Sequence, residues 1–258
     1  MLERRIREFI NTQKGNIAVF VKDLRTGEEI RINENRVFPA ASTIKISIMS
    51  ELFNRINEGV LDFNDTVEIR ENMRTGGDGI LKELEPGHKF TLKELATLMI
   101  ILSDNMATNI LINLLGMDNI NSTIQKLGLP NTRLQRMMMD TQAAREGREN
   151  YITASDLASI LELIYNGQNI NKSYSDIMLD ILKRQQVRGR LDLYLPEDIV
   201  IAHKTGDLDN LEHDAGIVYL PEKEYIICVL TNETKTNKDG REIIGVISKM
   251  VYDKMLAI

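Results

Sequence analysis

The stretch AGIVYL-PEKE-YIICVLT (residues 215–231) contains two runs of apolar and β-branched residues on either side of a short polar segment. Such runs favour β-strands, and a polar segment that begins with proline is typical of a turn. The stretch therefore predicts two antiparallel strands joined as a hairpin. Residues 199–204 (IVIAHK) have a similar composition, and we expect them to add a third strand.

The same pattern returns near the amino terminus, where residues 16–24 and 28–32 flank the turn Arg25-Thr26-Gly27. Elsewhere the apolar residues are spaced as in helices, and Thr91, Thr153 and Ser173 each precede an acidic residue by three positions, which is typical of helix caps. The predicted helices cover residues 2–12, 43–57, 105–115, 153–165, 173–183 and 241–255, with one more beginning at Thr91.

This order of elements predicts an α/β (α+β) fold, in which an antiparallel sheet from both chain ends is flanked by terminal helices. We expect residues 1–38 and 190–258 to form the sheet lobe together, and residues 39–189 to form a second, all-helical lobe. A site between the two lobes is expected, because ligand clefts concentrate at such boundaries.

Composition excludes several classes of partner. The 258 residues are 43% hydrophobic and 27% charged with a net charge of −6, and no basic stripe is present that could neutralise phosphates. We therefore expect a globular monomer that acts on a small molecule and binds no nucleic acid. The single Cys228 excludes an intramolecular disulfide, and the three histidines lack metal-ligand spacing, so we assign no metal and no cofactor.

The sequence carries no apolar run of the roughly 18 residues that a membrane span requires. The chain opens Met1-Leu-Glu-Arg-Arg-Ile-Arg7 without the apolar core of a signal peptide. We expect either a cytoplasmic protein or a secreted or periplasmic one whose leader has been removed.

Ser42-Thr-Ile-Lys45 is the first motif that carries chemistry. Residues three apart on a helix share one face, and a helix start presents backbone N–H groups that suit an oxyanion. A serine hydroxyl becomes nucleophilic when a base removes its proton, and a buried lysine with a lowered pKa is such a base. The motif predicts Ser42 as nucleophile and Lys45 as its base.

Two further triplets fit the same cleft. Ser103-Asp104-Asn105 falls at a break between two predicted helices, where Ser103 can relay a proton and the Asn105 amide can hold a carbonyl; the alternative is a plain helix cap. Lys204-Thr205-Gly206 follows the strand that ends at His203, with charge and hydroxyl for an anion and a glycine that admits close approach. Its alternative is a strand end that turns into a loop.

With these motifs in this order, the sequence resembles class A β-lactamases and penicillin-binding proteins. The resemblance covers nearly the whole chain, including residues 77–81, 85–87 and 92–114. It implies acylation of Ser42, proton acceptance by Lys45 and a relay through Ser103 to the leaving nitrogen. The further implied roles are substrate-amide binding by Asn105, carboxylate binding by Lys204 and Thr205, and an oxyanion hole from the N–H groups of Ser42 and Asp207.

The resemblance breaks at the loop where relatives carry a water-activating glutamate. After Thr132-Arg-Leu-Gln-Arg136, the matching position is Met138, within Met137-Met-Met139, and a methionine cannot accept a proton. Gln142 stands for a usual asparagine, and Tyr151 for the aspartate that pairs with Arg136, so we expect a differently built loop. We interpret the three methionines as apolar residues that pack under this loop. The nearby acids that could replace the base are Asp140, Glu146 and Glu149.

Three positions around the third motif also depart from the family. Asp207 puts a negative charge where a small neutral residue is common, and would oppose an anionic substrate if it faced the cleft. Arg190 is a candidate replacement for a missing arginine near Glu212, or else a solvated surface residue. His203 lies beside the cleft and titrates there, or fills the strand end, and we favour the second interpretation.

The sequence therefore predicts a β-lactamase-family serine hydrolase that is acylated at Ser42 and then hydrolysed, with slow turnover as an option. The alternatives are an esterase or amidase on a non-lactam substrate, and a penicillin-binding or sensing module that keeps a stable acyl adduct.

Overall fold

The computed structural model describes residues 2–257. In chain order its strands are β1 (Asn16–Asp23), β2 (Glu29–Ile32), β3 (Phe38–Pro39), β4 (Thr66–Glu68), β5 (Lys89–Thr91), β6 (Tyr151–Ile152), β7 (Val200–Leu208), β8 (Leu211–Tyr219) and β9 (Tyr225–Asn232). Its helices are α1 (Leu2–Ile10), α2 (Lys45–Asn57), α3 (Leu92–Ile101), α4 (Asn105–Leu115), α5 (Met117–Lys126), α6 (Thr141–Arg145), α7 (Ala154–Tyr165), α8 (Lys172–Lys183) and α9 (Asn237–Leu256).

The central feature is an antiparallel five-stranded sheet with the order β2-β1-β9-β8-β7. The two chain ends meet where β1 pairs with β9, with Phe20 opposite Cys228. The predicted α+β fold, with a sheet built from both ends, is confirmed. The short strands pair separately, β3 with β6 and β4 with β5, and because β4, β5 and β6 lie within residues 39–189, that segment is mainly helical but not all-helical as predicted.

Strand β1 shows why its sequence is apolar almost throughout. Ile17, Val19 and Val21 share a hydrophobic cluster with residues of α1 and α9, whereas Ala18 and Phe20 belong to the cluster that contains the central helices. Because side chains alternate between the two faces of a strand, a sheet covered on both faces needs apolar residues at successive positions. The boundaries of the two expected lobes remain a prediction.

The structure corrects several expected element bounds: β8 begins at Leu211 and not at residue 215, α9 begins at Asn237 and not at residue 241, and β7 and α8 also differ. Strand β7 does not end at His203 but continues to Leu208, because β8 already begins at Leu211 and the ladder runs up to a tight turn. Asn210 in that turn has a φ of 56°, which asparagine tolerates better than most residues. Helix α8 begins earlier than predicted, since the Asn171 side chain accepts the cap hydrogen bond that Ser173 was expected to accept.

Over residues 2–257, no helix combines the length and the apolarity needed to cross a membrane.

Candidate active site

Ser42 lies in a 3-10 helix (Ala41–Ile44) that leads directly into α2. It lines an open cleft of about 680 Å³, called here the Ser42 cleft. Strand β7 packs against this helix start so closely that a Cβ on Gly206 would lie 3.0 Å from the Ser42 nitrogen. The sequence predicted that Gly206 admits a substrate, whereas in the structure it admits the backbone of the nucleophile's own helix.

Lys45, the first residue of α2 and three positions after Ser42, is fully buried. Its Nζ lies within hydrogen-bond distance of the Ser103 carbonyl (2.7 Å), the Ser103 Oγ (3.1 Å) and the Asn105 Oδ1 (2.9 Å). Burial lowers the pKa of Lys45 well below the ordinary lysine value, and the positive charge of Lys204 adds to the shift. A lowered pKa favours the neutral amine, which is the form of lysine that accepts a proton.

Ser103 joins the two buried lysines. Its Oγ lies 3.1 Å from the Nζ of Lys45 and 3.1 Å from the Nζ of Lys204, which also donates to the carbonyl of Thr205. Burial lowers the pKa of Lys204 to about 7, and the guanidinium of Arg190 contributes in the same direction. The arrangement offers a continuous route for a proton from one lysine to the other through a single hydroxyl.

Both interpretations of Ser103-Asp104-Asn105 apply, each to different residues. Asp104 is the cap of α4, because its carboxylate accepts from the Ala107 N–H at 2.9 Å. The same carboxylate accepts from the N–H groups of Ile80 and Leu81, and so holds residues 76–81 at the rim of the Ser42 cleft. The sequence missed this anchoring role. Residues on either side of the cap, Ser103 and Asn105, face the lysines.

The site residues predicted from sequence fall into two layers. Ser42, Asn105 and Asp207 line the Ser42 cleft. The other predicted site residues do not line the cleft and are buried: Lys45, Ser103, Arg190, Lys204, Thr205 and Gly206.

Arg190 is neither solvated nor free. It is 3% exposed, and it donates from Nε to the Glu212 carboxylate at 2.6 Å and from Nη2 to the Asp207 carboxylate at 2.9 Å. Burial raises the pKa of Glu212, and Arg190 opposes that shift. The expectation that a surface arginine was an equal alternative is wrong, since both carboxylates that Arg190 neutralises lie on the rim of the Ser42 cleft.

Two residues of α9 at the same rim were missed by the sequence analysis. Asn237 donates to Glu212 at 3.0 Å, and Arg241 forms a 3.3 Å ion pair with the same carboxylate. Their spacing of four residues places them on one helix face, which was the available signal. Nothing local indicated that this face meets the end of β8.

The loop that carries Met138 keeps its ion pair through a different residue. The sequence predicted that Arg136 loses its carboxylate partner at Tyr151. In the structure Arg136 forms a two-pronged pair with Glu149, at 2.8 and 3.1 Å, while Tyr151 pairs with Pro39 in the β3–β6 ladder. Glu149 is thereby committed to the loop and is not a free base.

Met138 lines the Ser42 cleft but is largely buried, and it belongs to the hydrophobic core. Its backbone is held from both sides by the Asn109 side chain, which accepts from the Met138 N–H at 2.8 Å and donates to its carbonyl at 3.1 Å. The apolar packing expected for this residue agrees with that position. The loop therefore places a thioether, not a carboxylate, at this wall of the cleft.

The other two acids of the loop also have partners. Asp140 caps α6 by accepting from the Ala143 N–H, and Glu146 is an exposed residue paired with Arg148. Neither lines the Ser42 cleft.

His203 and His213 occupy buried positions of different kinds. His203 lies within β7 with its Nδ1 2.9 Å from the Asp214 carboxylate, and it does not line the Ser42 cleft, in agreement with the favoured interpretation. His213, which the sequence analysis did not single out, lies 2.9 Å by its Nε2 from the carbonyl of Pro39, three residues before Ser42. Its Nδ1 lies 2.8 Å from the carbonyl of Glu212 and accepts from the Thr231 N–H at 3.2 Å, and burial lowers the pKa of His213 to about 4, which favours the neutral ring.

Comparison with known proteins gives one consistent result. The model of the Beta-lactamase enzyme family matches residues 1–255. A beta-lactamase from Bacteroides uniformis is 28% identical, over 98% of this chain and 91% of its own. Beta-lactamase VEB-1 from Pseudomonas aeruginosa is 24% identical, over 99% and 90%.

Solved structures agree with these relatives. A beta-lactamase from Sphaerobacter thermophilus superposes with a TM-score of 0.93 at 30% identity, over 99% of this chain and 97% of that chain. A mutant of PBP-A, solved as an acyl-enzyme complex with penicillin G, superposes with a TM-score of 0.92 at 29% identity, over 100% and 97%.

Proposed function

The chain belongs to the Beta-lactamase enzyme family, and from this premise we propose that it opens β-lactam amide bonds through an acyl-enzyme on Ser42. One observation carries the proposal: two buried lysines, one of them three residues after the cleft-lining Ser42, converge on the hydroxyl of Ser103. Neither of the alternatives, a non-lactam esterase or a sensing module, is favoured by the relatives.

In the proposed acylation the Ser42 Oγ attacks the lactam carbonyl while its proton passes to the neutral amine of Lys45. The backbone N–H groups of Ser42 and Asp207 would stabilise the oxyanion. The carbonyl then re-forms as the lactam C–N bond breaks, and a proton reaches the leaving nitrogen from the hydroxyl of Ser103, which the lysines resupply. One O–C bond forms, one C–N bond breaks, and the proton of Ser42 is accounted for on the product nitrogen.

Asn105 is suited to orient the substrate. Its Oδ1 already accepts from Lys45 and its Nδ2 donates to the Gly76 carbonyl at 3.2 Å, so the amide group is held in one orientation at the cleft wall. A substrate carbonyl can receive the second N–H of this group. Lys204 and Thr205 would attract a substrate carboxylate, against the opposing charge of Asp207, which lines the cleft.

Hydrolysis of the acyl-enzyme is the slow step of the proposed cycle. Water attack on an ester gains roughly a hundred- to ten-thousandfold from a general base. Met138, at the cleft wall, offers no general base. Asp140, Glu146 and Glu149 already have partners, which are the Ala143 N–H, Arg148 and Arg136. We expect the acyl-enzyme to accumulate and to turn over slowly.

Hydrolysis of a chromogenic cephalosporin tests the proposal. The parent protein should hydrolyse it, and Ser42→Ala should show no activity above buffer while unfolding at the same temperature. Lys14→Ala, in the exposed turn before β1, is the control and should keep its activity. Activity in the Ser42 variant equal to that of the parent contradicts the proposal.

A further inference from the structure

Asp207 and Glu212 are directly opposite each other in the β7–β8 ladder. Like charges at paired positions of neighbouring strands repel, and a cation between them offsets that repulsion. Arg190 is that cation, since its Nε contacts Glu212 and its Nη2 contacts Asp207. The three side chains form one hydrogen-bonded unit at the end of the Ser42 cleft.

The unit is asymmetric in exposure. The side chain of Glu212 is 1% exposed and that of Arg190 is 4% exposed, whereas that of Asp207 is 43% exposed. Glu212 is also held by Asn237 and Arg241 and cannot leave without disturbing both. Asp207 is held in this unit by Arg190 alone among the described residues, and it is the carboxylate that lies between Arg190 and the solvent of the cleft.

The Asp207 carboxylate binds the guanidinium of Arg190, next to Lys204 and Thr205. It therefore occupies the place where an anionic substrate group would bind. We infer that Asp207 is a specificity-determining residue that takes the place of a substrate carboxylate on Arg190. The cleft then discriminates against acyl donors that carry a carboxylate beside the scissile bond and favours neutral ones. The inference rests on the proposed function, because it concerns the same cleft and the same acylation.

Asp207 acts on a substrate carboxylate in two ways: it competes with that carboxylate for Arg190, and its charge repels it. A substrate carboxylate must displace Asp207 to reach Arg190, and until then it meets a fixed negative charge within hydrogen-bond range of its own site. A neutral substrate group meets neither penalty. Removal of one like charge at this range in a partly exposed cleft changes the rate constant by about tenfold.

Two substrates and three variants test the inference. The substrates are a chromogenic cephalosporin with a free carboxylate and the methyl ester of the same compound. Second-order rate constants of acylation are measured by stopped flow for the parent, Asp207→Asn, Asp207→Ser and Asp209→Asn. The Asn variant removes the charge and keeps the shape, and the Ser variant also uncovers Arg190. Asp209 lines the same cleft without an ion pair in the described chain, so its variant controls for the loss of any negative charge.

In the parent we expect the ester to react at least as fast as the acid. The ratio of acid to ester rate constants should rise about tenfold in each Asp207 variant and stay within about twofold of the parent in Asp209→Asn. An unchanged ratio in the Asp207 variants, an equal rise in the Asp209 variant, or a parent that prefers the acid by about tenfold overturns the inference. Absence of any adduct on Ser42 with either compound overturns the proposed function as well, so the two failures are distinct.

Discussion

The Nζ of Lys204 lies 3.1 Å from the Oγ of Ser103, although the two residues are 101 positions apart in the sequence. The contact crosses from β7 to the break between α3 and α4, and so joins the sheet to the helical part of the molecule. It also places a lysine whose pKa is lowered to about 7 on the proton path of the proposed reaction. The charge of Lys204 therefore changes within the physiological range of pH.

The pH dependence of acylation should follow this lysine. Above a pKa of about 7 the amine is neutral and no longer attracts a substrate carboxylate, so the second-order acylation rate constant of a carboxylate-bearing substrate should fall as pH rises from 6 to 9. That rate constant reports groups of the free enzyme. Lys204→Arg keeps its charge throughout this range and should remove the falling limb, even if its rate is lower. A parent rate constant that is constant or rises across the range contradicts the assignment.

Lys45→Ala should slow acylation by at least about a hundredfold, which is the usual effect of losing a general base. The physical reason is that Lys45 is buried with a strongly lowered pKa and has the Ser103 hydroxyl within reach. Stopped-flow acylation measures the effect, and thermal unfolding checks the fold. Lys14→Ala, in the exposed turn before β1, is the control and should react as the parent does. A Lys45 variant within a few-fold of the parent means that another base acts.

Pre-steady-state hydrolysis should show a burst of one product equivalent per enzyme, followed by slow turnover. Met138 supplies no base at the cleft wall, which is why the acyl-enzyme accumulates. In Met138→Glu the slow phase should accelerate by about tenfold or more, since even an imperfectly placed carboxylate recovers part of general base catalysis. Met139→Glu places the same charge one residue away, on a half-exposed side chain, and should not accelerate it. Linear turnover without a burst in the parent contradicts this account.

Stability should decrease in acid because of His213. Its folded pKa of about 4 lies below the value of about 6.5 for an unfolded chain, so between these values only the unfolded state binds the proton. The neutral His213 therefore contributes to the free energy of unfolding in full above pH 6.5, and this contribution is lost as pH falls towards 4. It amounts to about 3 kcal/mol, at about 1.4 kcal/mol per pKa unit. Urea unfolding at pH 7 and pH 4 measures it. In His213→Gln the difference in the free energy of unfolding between pH 7 and pH 4 should be smaller than in the parent by about 3 kcal/mol. An equal difference in both proteins contradicts the role given to His213.

The sequence predicts most of the sheet because each of its central strands is apolar on both faces, which is a local property. The sequence does not predict that β8 begins at Leu211, because three consecutive polar residues, Glu212, His213 and Asp214, are typical of a loop. These side chains are buried because Arg190, Pro39 and His203 satisfy them, and those partners are distant in sequence. Likewise, Glu149 pairs with Arg136 in place of the aspartate that relatives carry at the position of Tyr151. This pairing depends on the path of the loop and is not visible in the local sequence.

The motif residues are predictable for a related reason. Ser42 and Lys45 are three positions apart where a 3-10 helix leads into α2, so their local spacing alone places them near each other. The relation of Ser103 to Lys204, and of Asp207 to Arg190, depends on how the sheet packs against the helices. Sequence analysis proposes these residues by resemblance, and the structure supplies their distances.

Intact-protein mass spectrometry after addition of a penicillin tests the central claim most directly. We expect a mass increase of one whole penicillin within seconds, mapped to Ser42 by peptide digestion, with slow return to the unmodified mass. Ser42→Ala should show no increase at any time. A parent protein that never gains the mass, or a Ser42→Ala variant that gains it at the rate of the parent, contradicts the account.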